Sequence, residues 1–184
     1  MAGRMALAFE RFDRAELRVC RALNRSSSRT AIRQIFRVVS WLGNGWIWYG
    51  LIVCLPGLYG RTGLVAAGHM VLTGVFALLV YKLVKSRAVR ERPYITHSAI
   101  QCASVPLDRY SFPSGHTLHA VAFTLLAASY FPAWSGPLAV LVLLIALSRV
   151  ILGLHYPTDV AAGAALGGTI GFVSLEVGGR LLAA

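Results

Sequence analysis

The sequence predicts an all-α fold, a polytopic membrane helical bundle with about five transmembrane helices plus an N-terminal amphipathic helix. Three observations carry that expectation. Apolar residues make up 57% of the 184-residue chain and charged residues only 14%, against roughly 45–50% and 25% in soluble domains. Mean hydropathy is +0.64. The apolar residues are gathered in runs long enough to cross a hydrocarbon layer of about 30 Å, rather than spread as a soluble core would spread them. The chain divides into a basic amphipathic segment, residues 1–37, and a membrane-embedded domain, residues 38–184.

Residues 5–23 place Met5, Phe9, Phe12, Val19, Cys20 and Leu23 on one helical face, with Arg11, Arg14, Arg18 and Arg21 opposite. Glu16 interrupts the apolar face. Such a helix suits a membrane surface, or the edge of the bundle. A polar link, "NRSSSRT", follows. Five apolar segments come next, at roughly 38–60, 62–84, 116–134, 136–155 and 158–182. Trp41, Trp46, Trp48 and Tyr49 in the first suit a membrane interface. His69 in the second is expected to hydrogen-bond between helices. The last carries Gly163, Gly167 and Gly171 at four-residue steps, which lets another helix approach closely. A polar loop at about 86–112 separates the second and third segments; loops of that length usually carry function or are disordered.

Net charge is +11; 16 of the 18 basic residues are arginine, and nine of those precede residue 38. With the rest so apolar, topology and anionic lipid explain them better than nucleic acid does. Cys20, Cys54 and Cys102 are odd in number and lack metal-ligand spacing, so no disulfide framework is expected. Charged residues interrupt the first apolar stretch, so no secretory signal is expected either.

Three short patterns carry chemistry. "KSRAVRERP" gives Lys85, Arg92 and Pro93. "PSGH" gives Pro113, Ser114, Gly115 and His116. "SRVILGLHYPTD" gives Ser148, Arg149, His155 and Asp159. Counting crossings, all three meet at one membrane face. Lys85, Arg92 and Arg149 make a cationic pocket; the planar arginine fork matches phosphate oxygens and lysine adds a point charge. Ser114 and Gly115 open a helix whose free N–H groups can cradle an anion. A histidine oriented by an aspartate is a competent nucleophile or base, and a second histidine can protonate the leaving oxygen. His155 and Asp159 are four apart, but Pro157 between them predicts a turn, with the proline near the first helical position. His116 and His119 lack a carboxylate or cysteine at matching spacing, so a metal site is not expected.

Together the patterns resemble the signature of the type 2 phosphatidic acid phosphatase superfamily, which includes membrane lipid phosphate phosphatases, bacterial acid phosphatases and vanadium haloperoxidases. Eleven identities match in order and at the family's internal spacings, over about residues 85–159. The resemblance implies two-step phosphoryl transfer without cofactor or metal. His155 would attack phosphorus, Asp159 would hold its ring, and His116 would protonate the leaving oxygen and then activate water. Lys85, Arg92, Ser114, Gly115 and Arg149 would bind the phosphate. The membrane setting implies a lipid-linked substrate, such as a polyprenyl diphosphate, phosphatidic acid or phosphatidylglycerophosphate. A phosphotransferase on the same site and a non-catalytic lipid-binding or transport protein are the alternatives, the second opposed by the intact His155, His116 and Asp159. The haloperoxidase relatives are soluble.

The sequence departs from the family in one respect. Bacterial membrane members, set in the inner membrane, usually have six spans, and five are counted here. The basic residues crowd the active face, which points it to the cytoplasm, whereas bacterial relatives usually face the periplasm. The facing stays open, as does the oligomeric state.

Overall fold

The computed structural model describes residues 2–106 and 108–183, with side-chain surroundings for 11–106 and 108–178. It contains seven α-helices: α1 Ala2–Arg25, α2 Thr30–Trp41, α3 Ile47–Arg87, the short α4 Pro93–Thr96, α5 Gly115–Tyr130, α6 Ser135–Ile151 and α7 Pro157–Ala183. Among the described residues there is no named strand, only an isolated antiparallel bridge between Glu91 and Tyr110.

Among the described residues three helical stretches are long and apolar enough to cross a membrane: Thr30–Arg87, Pro132–Ile151 and Pro157–Gly178. The first is a hairpin. Gly60 lies at φ 55° and ψ −128°, a conformation open to glycine because it has no Cβ. The limbs then close so tightly that a Cβ on Gly63 would sit 1.9 Å from the Leu55 carbonyl oxygen. The limbs 30–59 and 61–87, with α5, α6 and α7, make the five expected apolar legs. α5 has 16 residues, about 24 Å at 1.5 Å per residue, and packs between its neighbours. Its Leu118, Phe123 and Leu126 are buried.

Several boundaries differ from expectation. The first leg begins at Thr30, not near 38, and bends at Gly45 (φ 119°) within a π turn, Leu42–Trp46. The polar link is a 3₁₀ turn in which Ser26, Ser27 and Ser28 each donate to a carbonyl three residues earlier. α6 stops at Ile151 because Gly153, at φ 75°, turns the chain. α7 starts at Pro157, as the proline predicts.

The glycine ladder on α7 faces α5. A Cβ on Gly163 would lie 2.5 Å from the Ser114 carbonyl oxygen, and one on Gly167 would lie 2.2 Å from that of Leu118. His69 bridges legs, contacting Tyr130 Oη at 3.0 Å and Ser174 Oγ at 2.8 Å.

α1 lies across the end of the bundle where α6 turns into α7. Asn24 Nδ2 donates to the carbonyls of Gln101 and Ile151, at 3.0 and 2.9 Å. The face that packs inward is Glu16, Cys20 and Asn24, all buried, with Leu17 and Leu23 beside them. That corrects the expected face. Phe12 and Val19 are exposed, and Glu16, expected to be a flaw, is 6% exposed and fully bonded. The side chains of Met5 and Phe9 lie outside the described residues.

Candidate active site

All eight residues expected to form the site lie at the end of the bundle covered by α1. The ends of the legs are tied there by backbone and side-chain bonds. Ser114 N–H, opening α5, donates to the carbonyl of Asp159 in the first turn of α7 at 3.0 Å. Arg92 Nη1 donates to the Leu154 carbonyl between α6 and α7 at 2.8 Å. Lys85 Nζ, at the end of α3, donates to the Tyr110 carbonyl at 3.1 Å.

His155 sits in the tight turn after α6. The N–H groups of Leu154 and His155 both return to the Arg149 carbonyl, at 3.0 and 3.1 Å, so the turn fixes the histidine directly above Arg149. Its Nε2 lies 3.2 Å from Arg92 Nη1, and its Nδ1 lies 3.7 Å from Asp159 Oδ2. Burial, then the cations Arg149, Arg92 and Lys85, push His155 well below the ordinary histidine value of 6.5. The ring is therefore neutral at neutral pH and keeps a lone pair to offer.

Asp159 is wholly buried. Its Oδ2 accepts the Tyr156 N–H at 2.8 Å and its Oδ1 accepts Arg90 Nη1 at 2.9 Å. His116 lies on α5 beside Gly43; a Cβ there would stand 3.4 Å from the ring Cδ2. Its buried Nε2 has no hydrogen-bond partner, and neither has Arg149 Nε, which is uncommon for buried polar atoms and typical of groups kept for a ligand. Arg149 Nη1 donates to Ser40 Oγ on α2. Ser114 Oγ contacts Thr117 Oγ1 at 3.0 Å, and no side chain caps the start of α5, so its first N–H groups can meet an anion. A cavity of about 490 Å³ opens beside Arg149, lined by Arg37, Ser40, Trp41, Asn44, Ser104 and Val105.

The sequence reading passed over four residues here. Asp108, in the polar loop, bridges two of the expected site cations: Lys85 Nζ at 2.9 Å and Arg92 Nη2 at 3.0 Å. Arg90, in the segment after α3, pairs with Asp159 and Glu16. Ser40 had no signal. Glu16 had one, as the acidic residue on the apolar face of an arginine-rich helix. Arg109 pairs with Glu91. His119 Nδ1 contacts the Gly115 carbonyl at 2.9 Å, in keeping with a packing role. Among the described residues there is no cluster of three or more His, Cys, Asp or Glu suited to a metal.

Comparison with known proteins bears on the family and the fold. Residues 63–181 match the PAP2 superfamily. Over 138 residues the chain is 39% identical to the decaprenylphosphoryl-5-phosphoribose phosphatase of Mycobacterium tuberculosis, covering 73% of this chain and 72% of the relative. It is 32% identical over 139 residues to an undecaprenyl-diphosphatase of Sulfolobus acidocaldarius, covering 73% and 65%. The crystal structure of Aquifex aeolicus LpxE superimposes with a TM-score of 0.76 at 23% identity, covering 87% of this chain and 94% of that one. The transmembrane PAP2 type phosphatidylglycerolphosphate phosphatase of Bacillus subtilis gives 0.73 at 22%, covering 92% and 87%. These two likenesses speak for the fold; the family match and the M. tuberculosis relative speak for descent. The chain belongs to the PAP2 superfamily and is an integral membrane phosphatase within it.

Proposed function

We propose that this enzyme removes a phosphate from a polyprenyl-linked phosphate or diphosphate through a phosphohistidine on His155. The observation that carries the reading is the contact of Arg92 Nη1 with His155 Nε2 at 3.2 Å. It puts a phosphate-binding fork beside the atom that would attack. A phosphate entering between them would meet Arg92, Arg149, Lys85 and the N–H groups that open α5. In the first step the His155 Nε2 lone pair forms the P–N bond as the terminal phosphorus parts from the oxygen that bridges it to the rest of the molecule, and His116 gives its proton to that departing oxygen. In the second step His116 takes a proton from water, the hydroxide oxygen attacks phosphorus, and the P–N bond returns its electrons to His155. Asp159 steadies the ring and its transient positive charge. Positioning and fixed charge do most of this work.

Relatives named for polyprenyl substrates support the lipid class: the phosphoribose phosphatase of M. tuberculosis and the undecaprenyl-diphosphatases of S. acidocaldarius and Bacillus subtilis. The cavity beside Arg149 adds support, because Arg37, Asn44 and Ser104 offer hydrogen bonds to a polar head while Trp41 and Val105 border it.

The test is phosphate release by purified enzyme in detergent, without added metal. The panel holds decaprenylphosphoryl-5-phosphoribose, a polyprenyl diphosphate, phosphatidic acid and phosphatidylglycerophosphate, with His155→Ala alongside. Release from a polyprenyl compound is expected, with the variant reduced at least about 10³-fold. Near-wild-type turnover by the variant would remove His155 as nucleophile. Preference for phosphatidic acid would overturn the lipid class.

A further inference from the structure

We propose that Glu16 and Arg90 are positioning residues of the hydrolytic reaction, which makes the N-terminal helix part of the catalytic apparatus. The inference rests on the reading of His155 as a nucleophile oriented by Asp159.

Glu16 is a carboxylate in an improbable place. It is 6% exposed on a helix rich in arginine, and a buried carboxylate is costly unless it is paired and hydrogen-bonded. Its oxygens are well supplied. Oε2 accepts Arg90 Nη2 at 2.6 Å, and Oε1 accepts the Thr158 N–H at 2.9 Å together with the Thr158 hydroxyl. Thr158 is the second residue of α7, so its N–H is one of the first-turn donors that the helix cannot satisfy itself. Glu16 therefore caps α7 from another helix, one residue before Asp159.

Arg90 continues the chain. Its Nη1 donates to Thr158 Oγ1 at 2.7 Å and to Asp159 Oδ1 at 2.9 Å. Its guanidinium lies 3.9 Å from the centre of the Tyr156 ring. Burial works against the charge on Arg90, but the carboxylates of Asp159 and Glu16 more than offset it and raise its pKa. α1, the segment after α3 and the first turn of α7 thus meet in one row of alternating charge, ending at His155.

The row has a consequence for chemistry. With Arg90 alone as partner, the charge on Asp159 would be largely neutralised, and little field would remain to stabilise a histidine that becomes cationic on attacking phosphorus. Glu16 shares Arg90, so within this row two carboxylates face one guanidinium, and more of the Asp159 charge is left to oppose the cations around the ring. The fork of Arg90 also fixes which oxygen of Asp159 turns toward His155. Arginine suits this better than lysine, because its planar fork fixes the direction of both bonds whereas an ammonium is a freely rotating point charge.

The test uses the full chain in detergent with the lipid found to be turned over. In Glu16→Gln, kcat is expected to fall about tenfold with KM within about twofold, because phosphate binding is untouched while the transition state loses support. A non-hydrolysable phosphonate analogue of the lipid, which mimics the ground state, should bind with unchanged affinity. Arg90→Lys should show the same split, and the double variant should lose little more than either single one, as expected of residues acting as a unit. Wild-type kcat in Glu16→Gln would overturn the proposal. So would a loss in which KM, phosphonate affinity and thermal midpoint all degrade together, since that marks a purely structural role. His155→Ala in the same assay separates the two readings: if it stays active, the nucleophile assignment has failed, whatever Glu16→Gln does.

Discussion

His155 shows how a single side chain is prepared by its surroundings. Burial and three nearby cations depress its pKa well below 6.5, so the unfolded chain binds this proton more readily than the folded one. The sign follows: the contribution of His155 to stability is present above pH 6.5 and is lost as pH falls below that value toward the folded pKa. The thermal midpoint in detergent should therefore drop on acidification through this window, and His155→Gln, which carries no proton, should flatten that part of the curve. A midpoint equally sensitive in both proteins would assign the effect to other groups. The residues proposed to hold phosphate and attack it could be picked out in the sequence because they keep fixed local spacings. Glu16, Arg90 and Ser40 were not, because their partners lie 74, 69 and 109 positions away along the chain. No periodicity connects such pairs; only folding does.

Among the elements, the contact between α5 and α7 sets the site. The Gly163 and Gly167 positions let α7 approach until a Cβ would strike the carbonyl oxygens of Ser114 and Leu118. That closeness permits the Ser114 N–H to reach the Asp159 carbonyl, and so joins the helix carrying His116 to the one carrying Asp159. Gly167→Val should force the pair apart, with a destabilisation of about 1–3 kcal/mol and a loss of turnover larger than the loss of folded enzyme. Gly168→Val is the control, since a Cβ there would stand 4.0 Å from Val121; equal effects at both positions would count against the ladder. The ladder could be read from four-residue steps, and α7 from its proline. The start of the first leg and the bend at Gly45 could not, because a polar link and a short basic helix share the same composition. The inward face of α1 was misread because a carboxylate met on an apolar stripe looks like an interruption until its partner is known.

At the scale of the whole molecule, charge is divided between two ends. The end that bears the site also bears the basic α1 and the loop arginines, while the Gly60 turn at the other end carries Arg61. The excess of arginine beside short loops predicts a cytoplasmic site. The native cysteines can test this. Cys102 is exposed in the loop at the site end, Cys54 lies on an apolar leg, and Cys20 is buried with its thiol pushed up to about 12, first by burial and then by Glu16 and Asp159. A membrane-impermeant maleimide should leave Cys102 unmodified in intact cells and label it after permeabilisation; labelling of intact cells would place the site outside. Asp108 bears on whatever arrives at that site. Burial pushes its carboxyl up, but Lys85 and Arg92 bring it below its ordinary value of 3.8. It is thus a resident counter-ion for two of the cations a phosphate would use. If phosphate is held there as proposed, its binding would be an ion exchange rather than a simple capture, and its strength a difference between two anions. Free sulfate or inorganic phosphate gains little from such a swap, whereas a headgroup already held at the surface by its lipid tail is favoured by its local concentration. The same exchange run backwards, with the carboxylate returning to Lys85 and Arg92, would expel the phosphate product and reset the enzyme.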